Sequence, residues 1–308
     1  MKAMRIHAFG GPEVLELEQQ PMPEPGEGEV LVRVLAASVN PVDYKIRSGG
    51  YPAVGEDKLP MTLGRDVAGV VDRCGPGVTS LAVGHAVYAM LPPDRGGYAE
   101  FVAINAGDCA RQPERLDAVQ AAAVPLAGLT AWQGLFDHGG LQAGQTVLIH
   151  GASGGVGHFA VQFARARSAT VLATARADDR DFLIGLGATE VIDYHAQRFE
   201  DEVAPVDVVF DLVAGETQER SWQVLKEGGA LISTLKEPSK ERAAAKRART
   251  AHYMAHPDGG QLGKIADLVQ GGQVTPVIDS TFPLEGAAQA QRRLESEHVR
   301  GKIVLDVR

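Results

Sequence analysis

Apolar and polar positions alternate in short runs over the first third of the chain. Val30-Leu31-Val32-Arg33-Val34-Leu35 and Gly69-Val70-Val71-Asp72-Arg73 are rich in β-branched residues and are closed by turn formers, so they predict strands of a twisted, partly closed β domain. From about Leu126 the texture changes to an apolar run, a glycine turn, an alanine-rich stretch with helical spacing, and another apolar run. That alternation predicts a parallel sheet covered by helices on both faces. Its strands fall at 146–150, 170–174, 190–193, 207–211 and 230–234, a doubly wound α/β arrangement. After Lys236 the charged stretch EPSKERAAAKRAR carries helical spacing, followed by a helix over 262–269, a short extended segment at 275–279 and a strand over 302–307. No repeat and no low-complexity linker interrupts the pattern.

Composition narrows the class. A chain of 308 residues suggests two domains, each able to bury its own core. Two cysteines, Cys74 and Cys109, lie far apart, which supplies neither a disulfide framework nor a four-cysteine metal cluster and makes a reducing cytoplasm the expected compartment. The N-terminal MKAMRIHAFGGPEVLELEQQ lacks the uninterrupted apolar stretch of a signal peptide, and no apolar run of about 18 residues suggests a membrane span, so a soluble protein is expected. A formal net charge of -9 repels a phosphate backbone, and the one basic patch, 240–249, is short and interleaved with alanine. Nucleic acid is not an expected partner; a small molecule is.

The most informative segment is TVLIHGASGGVG, residues 146–157, followed by HFAVQFAR with the spacing of a helix. Strand, glycine turn and helix in this order form a cradle for a pyrophosphate, with Ala152, Ser153, Gly154, Gly155, Val156 and Gly157 as its members. Without a Cβ, Gly154 and Gly155 let the backbone come close to the anion, and Gly157 lets the helix pack on the sheet. The first glycine of the usual G-x-G-x-x-G is here Ala152, but strand, helix and following strand are all correctly spaced. At the end of the second strand an acid would accept a ribose 2′-OH and an arginine would accommodate a 2′-phosphate; the sequence there is Thr174-Ala175-Arg176. Arg176 is either that phosphate ligand or a solvated surface charge, and the first reading makes NADPH the cofactor. Asp178 and Asp179 lie beyond the strand, where they suit the cap and first turn of the next helix.

Several motifs together resemble the medium-chain dehydrogenase/reductase superfamily, and within it the zinc-free quinone oxidoreductase branch related to zeta-crystallin. They are Gly-Gly-Pro-Glu-Val-Leu at 10–15, Asn40-Pro41-Val42-Asp43-Tyr44-Lys45, Leu63-Gly64-Arg65-Asp66-Val67-Ala68-Gly69, Gly96-Gly97-Tyr98-Ala99-Glu100, the 152–157 turn and the closing Gly301-Lys302-Ile303-Val304-Leu305. The resemblance covers essentially the whole chain. It implies a GroES-like β-barrel catalytic domain over 1–124, completed by 262–308, and a Rossmann NADPH-binding domain over 125–261, with the active site in the cleft between them and homodimers joined through the edge of the dinucleotide domain. The segment 275–279 is a candidate strand for that edge. The resemblance also implies that Tyr194 lines the 2′-phosphate pocket; packing of its ring on the adenine-side surface is the alternative.

Zinc-containing relatives hold their catalytic metal through cysteine, histidine and a third sulfur or acidic ligand. At the matching places this chain has Asn40, Arg65-Asp66 and the 126–128 region, so no metal site is expected. The chemistry left is hydride donation to an acceptor polarised by its own conjugation. Asn40 either donates an amide N–H to the acceptor's oxygen or shapes the turn before Pro41. Tyr51 stands where similar zinc-free reductases place a pocket tyrosine and is otherwise a loop anchor. Thr130 lies beside the expected nicotinamide ribose or caps a helix, and Asp43 either orients its neighbours in the cleft or serves a loop. Because ligands sit beyond the carboxyl ends of parallel strands, backbone groups at Val213 and Thr234 are candidates for the carboxamide. The expected activity is NADPH-dependent quinone reduction; reduction of a 2-alkenal, enone or enoyl thioester is the nearest alternative, and a non-catalytic NADPH-binding regulatory protein is the alternative of another class.

Overall fold

Strand-forming sequence dominates both ends of the chain, and these ends fold together. In the computed structural model, which describes residues 1–308, Met1–Leu126 and His256–Arg308 form one unit and Ala127–Ala255 a second. The first unit carries β1 (Lys2–Ile6), β2 (Glu16–Gln19), β3 (Glu29–Val39), β4 (Met61–Thr62), β5 (Asp66–Cys74), β6 (Ala86–Met90), β7 (Phe101–Asn105) and β8 (Cys109–Arg111). The second carries β9 (Thr146–His150), β10 (Thr170–Ala175), β11 (Glu190–Asp193), β12 (Val206–Asp211), β13 (Leu225–Ser233) and β14 (Arg249–His252). The last two strands, β15 (Ile278–Pro283) and β16 (Lys302–Asp306), return to the first unit.

The seven-stranded sheet of the first unit runs β15-β16-β3-β5-β6-β8, with β7 also paired to β3; a smaller sheet runs β2-β1-β4. Its axis is β3, eight of whose eleven residues are buried. Along it Val34 faces Gly69 but Ala36 faces Ala68, so β3 holds one residue more than β5 and bulges at Leu35. The parity of the buried positions changes there: Val30, Val32 and Val34 enter one apolar core, Ala37 and Val39 another. The free carbonyl of Leu35 accepts the Val307 N–H at 3.0 Å. Beyond the bulge Ser38 pairs with Asp66 and Val39 with Ile303, which brings the end of β3 beside the starts of β5 and β16.

The second unit is a six-stranded parallel sheet in the order β11-β10-β9-β12-β13-β14. Five of its strands are those expected from the apolar runs. The sixth, Arg-Thr-Ala-His, is an outer strand with three of its four residues exposed, so it lacks the apolar signature of the others. The segment at 275–279 corrects a sequence expectation: its strand begins at Ile278 and pairs with β16 in the first unit, not with the edge of the dinucleotide sheet.

His150 closes β9 inside this sheet. The Ser221 hydroxyl donates to the Thr217 carbonyl at 2.7 Å, so its oxygen must accept from Nε2–H of His150 at 3.0 Å. Nδ1 then accepts from the Thr174 hydroxyl at 2.9 Å, which fixes a neutral ring in the Nε2–H tautomer. Burial pushes the pKa of this ring down from 6.5 to about 4. The unfolded ring therefore binds more protons across that window, and the contribution of His150 to stability is lost as pH falls from 6.5 towards 4.

Two outcomes follow. A Cβ at position 69 would lie 2.1 Å from the Arg33 carbonyl oxygen, so Gly69→Ala should lower stability by about 1–3 kcal/mol; an unchanged thermal midpoint would show that the bulge relaxes freely. In nitrogen-15 spectra of the imidazoles, His150 should hold the Nε2–H form at pH 6 and begin to protonate only near 4; titration close to 6.5 would contradict the buried geometry.

Candidate active site

Asn40, the last residue before the helix Pro41–Arg47, is held on every side. Its Nδ2 donates to Oδ2 of Asp66 at 2.8 Å and makes a marginal contact of 3.5 Å with the Ser38 carbonyl. Its Oδ1 accepts from Nζ of Lys302, which also donates to the Val39 carbonyl at 3.1 Å and lies 3.8 Å from Oδ2 of Asp66. Asp66 further accepts the Ser38 hydroxyl on Oδ2 and the Leu126 N–H on Oδ1, both at 2.6 Å. Burial lowers the Lys302 pKa, and the neighbouring Asp66 and Asp43 act against that shift.

The backbone of Asn40 is held by a second arm. Its N–H donates to Oδ2 of Asp43 at 2.7 Å, and the same oxygen accepts the Tyr98 hydroxyl at 2.8 Å. Oδ1 of Asp43 is buried without a hydrogen-bond partner. Burial pushes this carboxyl up to about 7, against the pull of the Asn40 N–H and the Tyr98 hydroxyl, so near neutrality it is divided between acid and carboxylate. The same short helix is anchored at its far end by Arg47, which donates to Gln291 at 2.7 Å and pairs with Glu295 at 2.9 Å. Tyr51 is half-buried against the apolar cluster that contains Leu63 and Tyr98.

In the second unit the turn after β9 is built around two glycines. Gly151 has φ +70°, so the tight-turn conformation falls one residue earlier than the A-x-G-x-x-G alignment suggests, and Ala152 keeps its Cβ in the core. A Cβ on Gly157 would lie 2.3 Å from the Gly151 carbonyl oxygen, which explains glycine where the helix Gly157–Ala166 begins. At Gly154 a Cβ would meet only an ordinary contact of 3.5 Å, so the protein's own packing does not demand glycine there; close approach by a ligand would. Ser153 is buried, Gly155 and Val156 are half-exposed, and no side chain caps the helix, although the His158 N–H turns back to the Gly154 carbonyl at 3.1 Å.

The carboxyl ends of the other strands continue this edge. Arg176 follows β10, and its Nε donates to the Tyr194 hydroxyl after β11 at 3.3 Å; Tyr194 is 48% exposed. The two residues whose sequence roles pointed to a 2′-phosphate are thus neighbours in space. Across the glycine turn, after β12, Asp211 is buried and its Oδ1 accepts the N–H groups of Val213 at 3.0 Å and Ala214 at 2.8 Å. That grip holds Ala214 at φ +64°, a conformation that a non-glycine residue rarely adopts. It leaves the Val213 side chain 49% exposed but occupies its N–H. The Thr234 N–H lies 3.4 Å from the Asp211 carbonyl. Thr130 is buried within the helix Pro125–Trp132, not at its cap, and its carbonyl accepts the Tyr253 hydroxyl.

Asp66, Tyr98 and Lys302 belong to motifs that resemble the family, yet nothing in their spacing announces that they meet around Asn40. Gly151 and Asp211 were missed as turn-forming residues because their parts depend on backbone angles. At 40, 65–66 and 126–128 there is no thiolate or imidazole, and an ammonium sits on Asn40. This set does not suit Zn²⁺. The one group of three potential ligands within 4.8 Å of one another is His7, Glu16 and Glu18 on the surface, where Glu18 is also bound by Arg5 and Gln20.

Comparison with known proteins agrees with the geometry of both units. The alcohol dehydrogenase GroES-like domain model matches residues 26–114, and the zinc-binding dehydrogenase model matches residues 186–305. Human NAD(P)H oxidoreductase RTN4IP1, mitochondrial, is 36% identical over 100% of this chain and 89% of its own length. The chloroplastic NADPH-dependent alkenal/one oxidoreductase of Arabidopsis thaliana is 34% identical over 99% of this chain and 79% of its own. The quinone oxidoreductase structure from Coxiella burnetii superimposes with a TM-score of 0.91 at 37% identity, covering 100% of this chain and 99% of that one. No helix is long and apolar enough to cross a membrane. Likeness of this extent, on a GroES-like unit and a Rossmann sheet, has one meaning: the chain belongs to the medium-chain dehydrogenase/reductase superfamily of nicotinamide-dependent oxidoreductases, in its quinone oxidoreductase branch.

Proposed function

We propose that the protein reduces a quinone with NADPH and without zinc. The observation that carries this reading is the Lys302 ammonium set among Asn40 and Asp66, where a metal-dependent relative would hold its ion. An acceptor at such a site gains no Lewis-acid activation and must be polarised by its own conjugation, as a quinone is. The bound cofactor would supply the hydride. The turn from Gly151 to Gly157 binds its pyrophosphate, Arg176 and Tyr194 its 2′-phosphate, and Thr130, Val213 and Thr234 contribute to the nicotinamide side. Asn40 offers its weakly held amide hydrogen to the acceptor's oxygen, and Asp43 keeps the Asn40 backbone in place. The cytoplasm is the compartment we assign, and a homodimer the assembly, with β14 as the outer strand open to a second copy.

A second reading, reduction of an alkenal, enone or enoyl thioester, draws support from Tyr51 and from the relative named for alkenals. Such an acceptor passes through an enolate that needs a proton, and the Tyr51 hydroxyl would deliver it. A non-catalytic NADPH-binding role predicts binding without turnover.

Chelator-treated protein mixed with NADPH or NADH and, separately, 1,4-benzoquinone, 9,10-phenanthrenequinone or an aliphatic enone should oxidise NADPH fastest with a quinone. A faster enone rate would transfer the reading to the second class, and binding without oxidation would end the enzymatic one. Arg176→Ala should raise KM for NADPH about tenfold or more while leaving NADH little changed, since a charge-assisted phosphate contact is lost; an equal effect on both cofactors would remove Arg176 from the 2′-phosphate site. Tyr51→Phe should cost enone reduction about 100-fold but quinone reduction far less, and equal losses would deny Tyr51 a proton-donor role.

A further inference from the structure

Lys302 opens β16 with its side chain 3% exposed, and an ammonium taken out of water is tolerated only where acceptors surround it. With three donors and no acceptor capacity, Nζ can turn only towards acceptor atoms: the Val39 carbonyl, Oδ1 of Asn40 and, farther off, Oδ2 of Asp66. This determines which way the Asn40 amide faces. A flipped amide would set its NH₂ against the ammonium and its oxygen against the Asp66 carboxylate, two repulsive contacts between buried groups. With the oxygen on Lys302, one amide hydrogen is committed to Asp66 at 2.8 Å and the other is only loosely held, 3.5 Å from Ser38 O. The remaining polar groups of Asn40 are engaged as well: its N–H by Asp43 at 2.7 Å and its carbonyl by the Asp43 N–H at 2.9 Å.

The geometry assigns Lys302 as the positioning residue of the site: it holds the Asn40 amide in the one orientation that aims a spare N–H at an acceptor. This builds on the reading in which Asn40 donates to the acceptor's oxygen. With its side chain 3% exposed behind Asn40, Lys302 acts through that amide. Its substitution is therefore felt in kcat for the acceptor, whereas cofactor affinity, which belongs to the turn after β9, stays as it was.

The test compares Lys302→Met, Asn40→Ala and the double variant for thermal midpoint, NADPH affinity by fluorescence, and kcat and KM with 9,10-phenanthrenequinone. Lys302→Met is expected to bind NADPH within about twofold of the unaltered protein and to lose about 100-fold in kcat, the scale of a misplaced reacting contact. The double variant should be no slower than Asn40→Ala, because both changes remove the same oriented amide. Unaltered kcat in folded Lys302→Met, or a double variant whose loss is the product of the two single losses, overturns the inference. If Lys302→Met does not fold, Lys302→Gln is read in its place: it keeps a polar head but carries both donor and acceptor and so no longer dictates how the Asn40 amide faces; a folded protein of low kcat is expected and full kcat overturns the inference. Should the unaltered protein bind NADPH and reduce no acceptor, the reductase reading fails by itself. Lys302 is then judged by unfolding midpoints: non-additive shifts for positions 40 and 302 sustain the orientation, and additive shifts refute it.

Discussion

The first unit depends on taking an ammonium and a carboxylate out of water together. Neither Lys302 nor Asp66 could sit where it does alone, since removal of one partner of a buried pair costs about 3–5 kcal/mol. Their joint burial requires three strand ends to meet, and the bulge at Leu35 is what lets β3 line one core with Val30, Val32 and Val34 and still present Ser38 and Asn40 to that meeting point. The helix that follows inherits its start from the same place, because Asp43 caps it by gripping the Asn40 N–H while Tyr98 steadies Asp43. Electrostatics, strand register and helix start are one arrangement here.

The second unit is organised differently, around one edge of a parallel sheet where the glycine turn leaves backbone half-exposed. Its polar interior serves that edge. Asp211 gathers two backbone N–H groups, the Gln218 amide and the Ser233 hydroxyl, and so fixes the loops after β12 and β13. His150, neutral between Thr174 and Ser221, ties the strand that enters the glycine turn to its neighbour β10 and to the helix Gly215–Val224. Along the edge the surface passes from a cation and a phenol at Arg176 and Tyr194, through bare backbone, to the exposed Val213 and Leu235. A ligand with a phosphate at one end and a flat, weakly polar ring at the other matches that sequence of surfaces.

Much of the fold was legible because burial on both faces writes itself as apolar runs: 146–150 and 190–193 were readable to the residue. β14 was not, since an outer strand needs no apolar code, and Arg249–His252 has none. Of the candidate site, the glycine turn could be read because glycine's reasons are local, although the residue in the positive-φ turn proved to be Gly151. The surroundings of Asn40 could not. Ser38, Asp66, Tyr98 and Lys302 are individually ordinary, and only pairing across β3, β5 and β16 reveals that they share one pocket. Arg176 and Tyr194 stand between these cases, eighteen residues apart and joined by adjacent parallel strands.

The contact between Asn40 and Lys302 spans 262 positions of the chain. During synthesis, Ala127–Ala255 has all of its strands before β16 leaves the ribosome, whereas Asp66 and Asn40 must wait for the last few residues before their partner exists. The first unit is thus begun first and finished last. In that interval its carboxylates stay hydrated and the flank of β3 that β16 will cover lies open, so the closing strand acts as the latch that commits the N-terminal third to its final form.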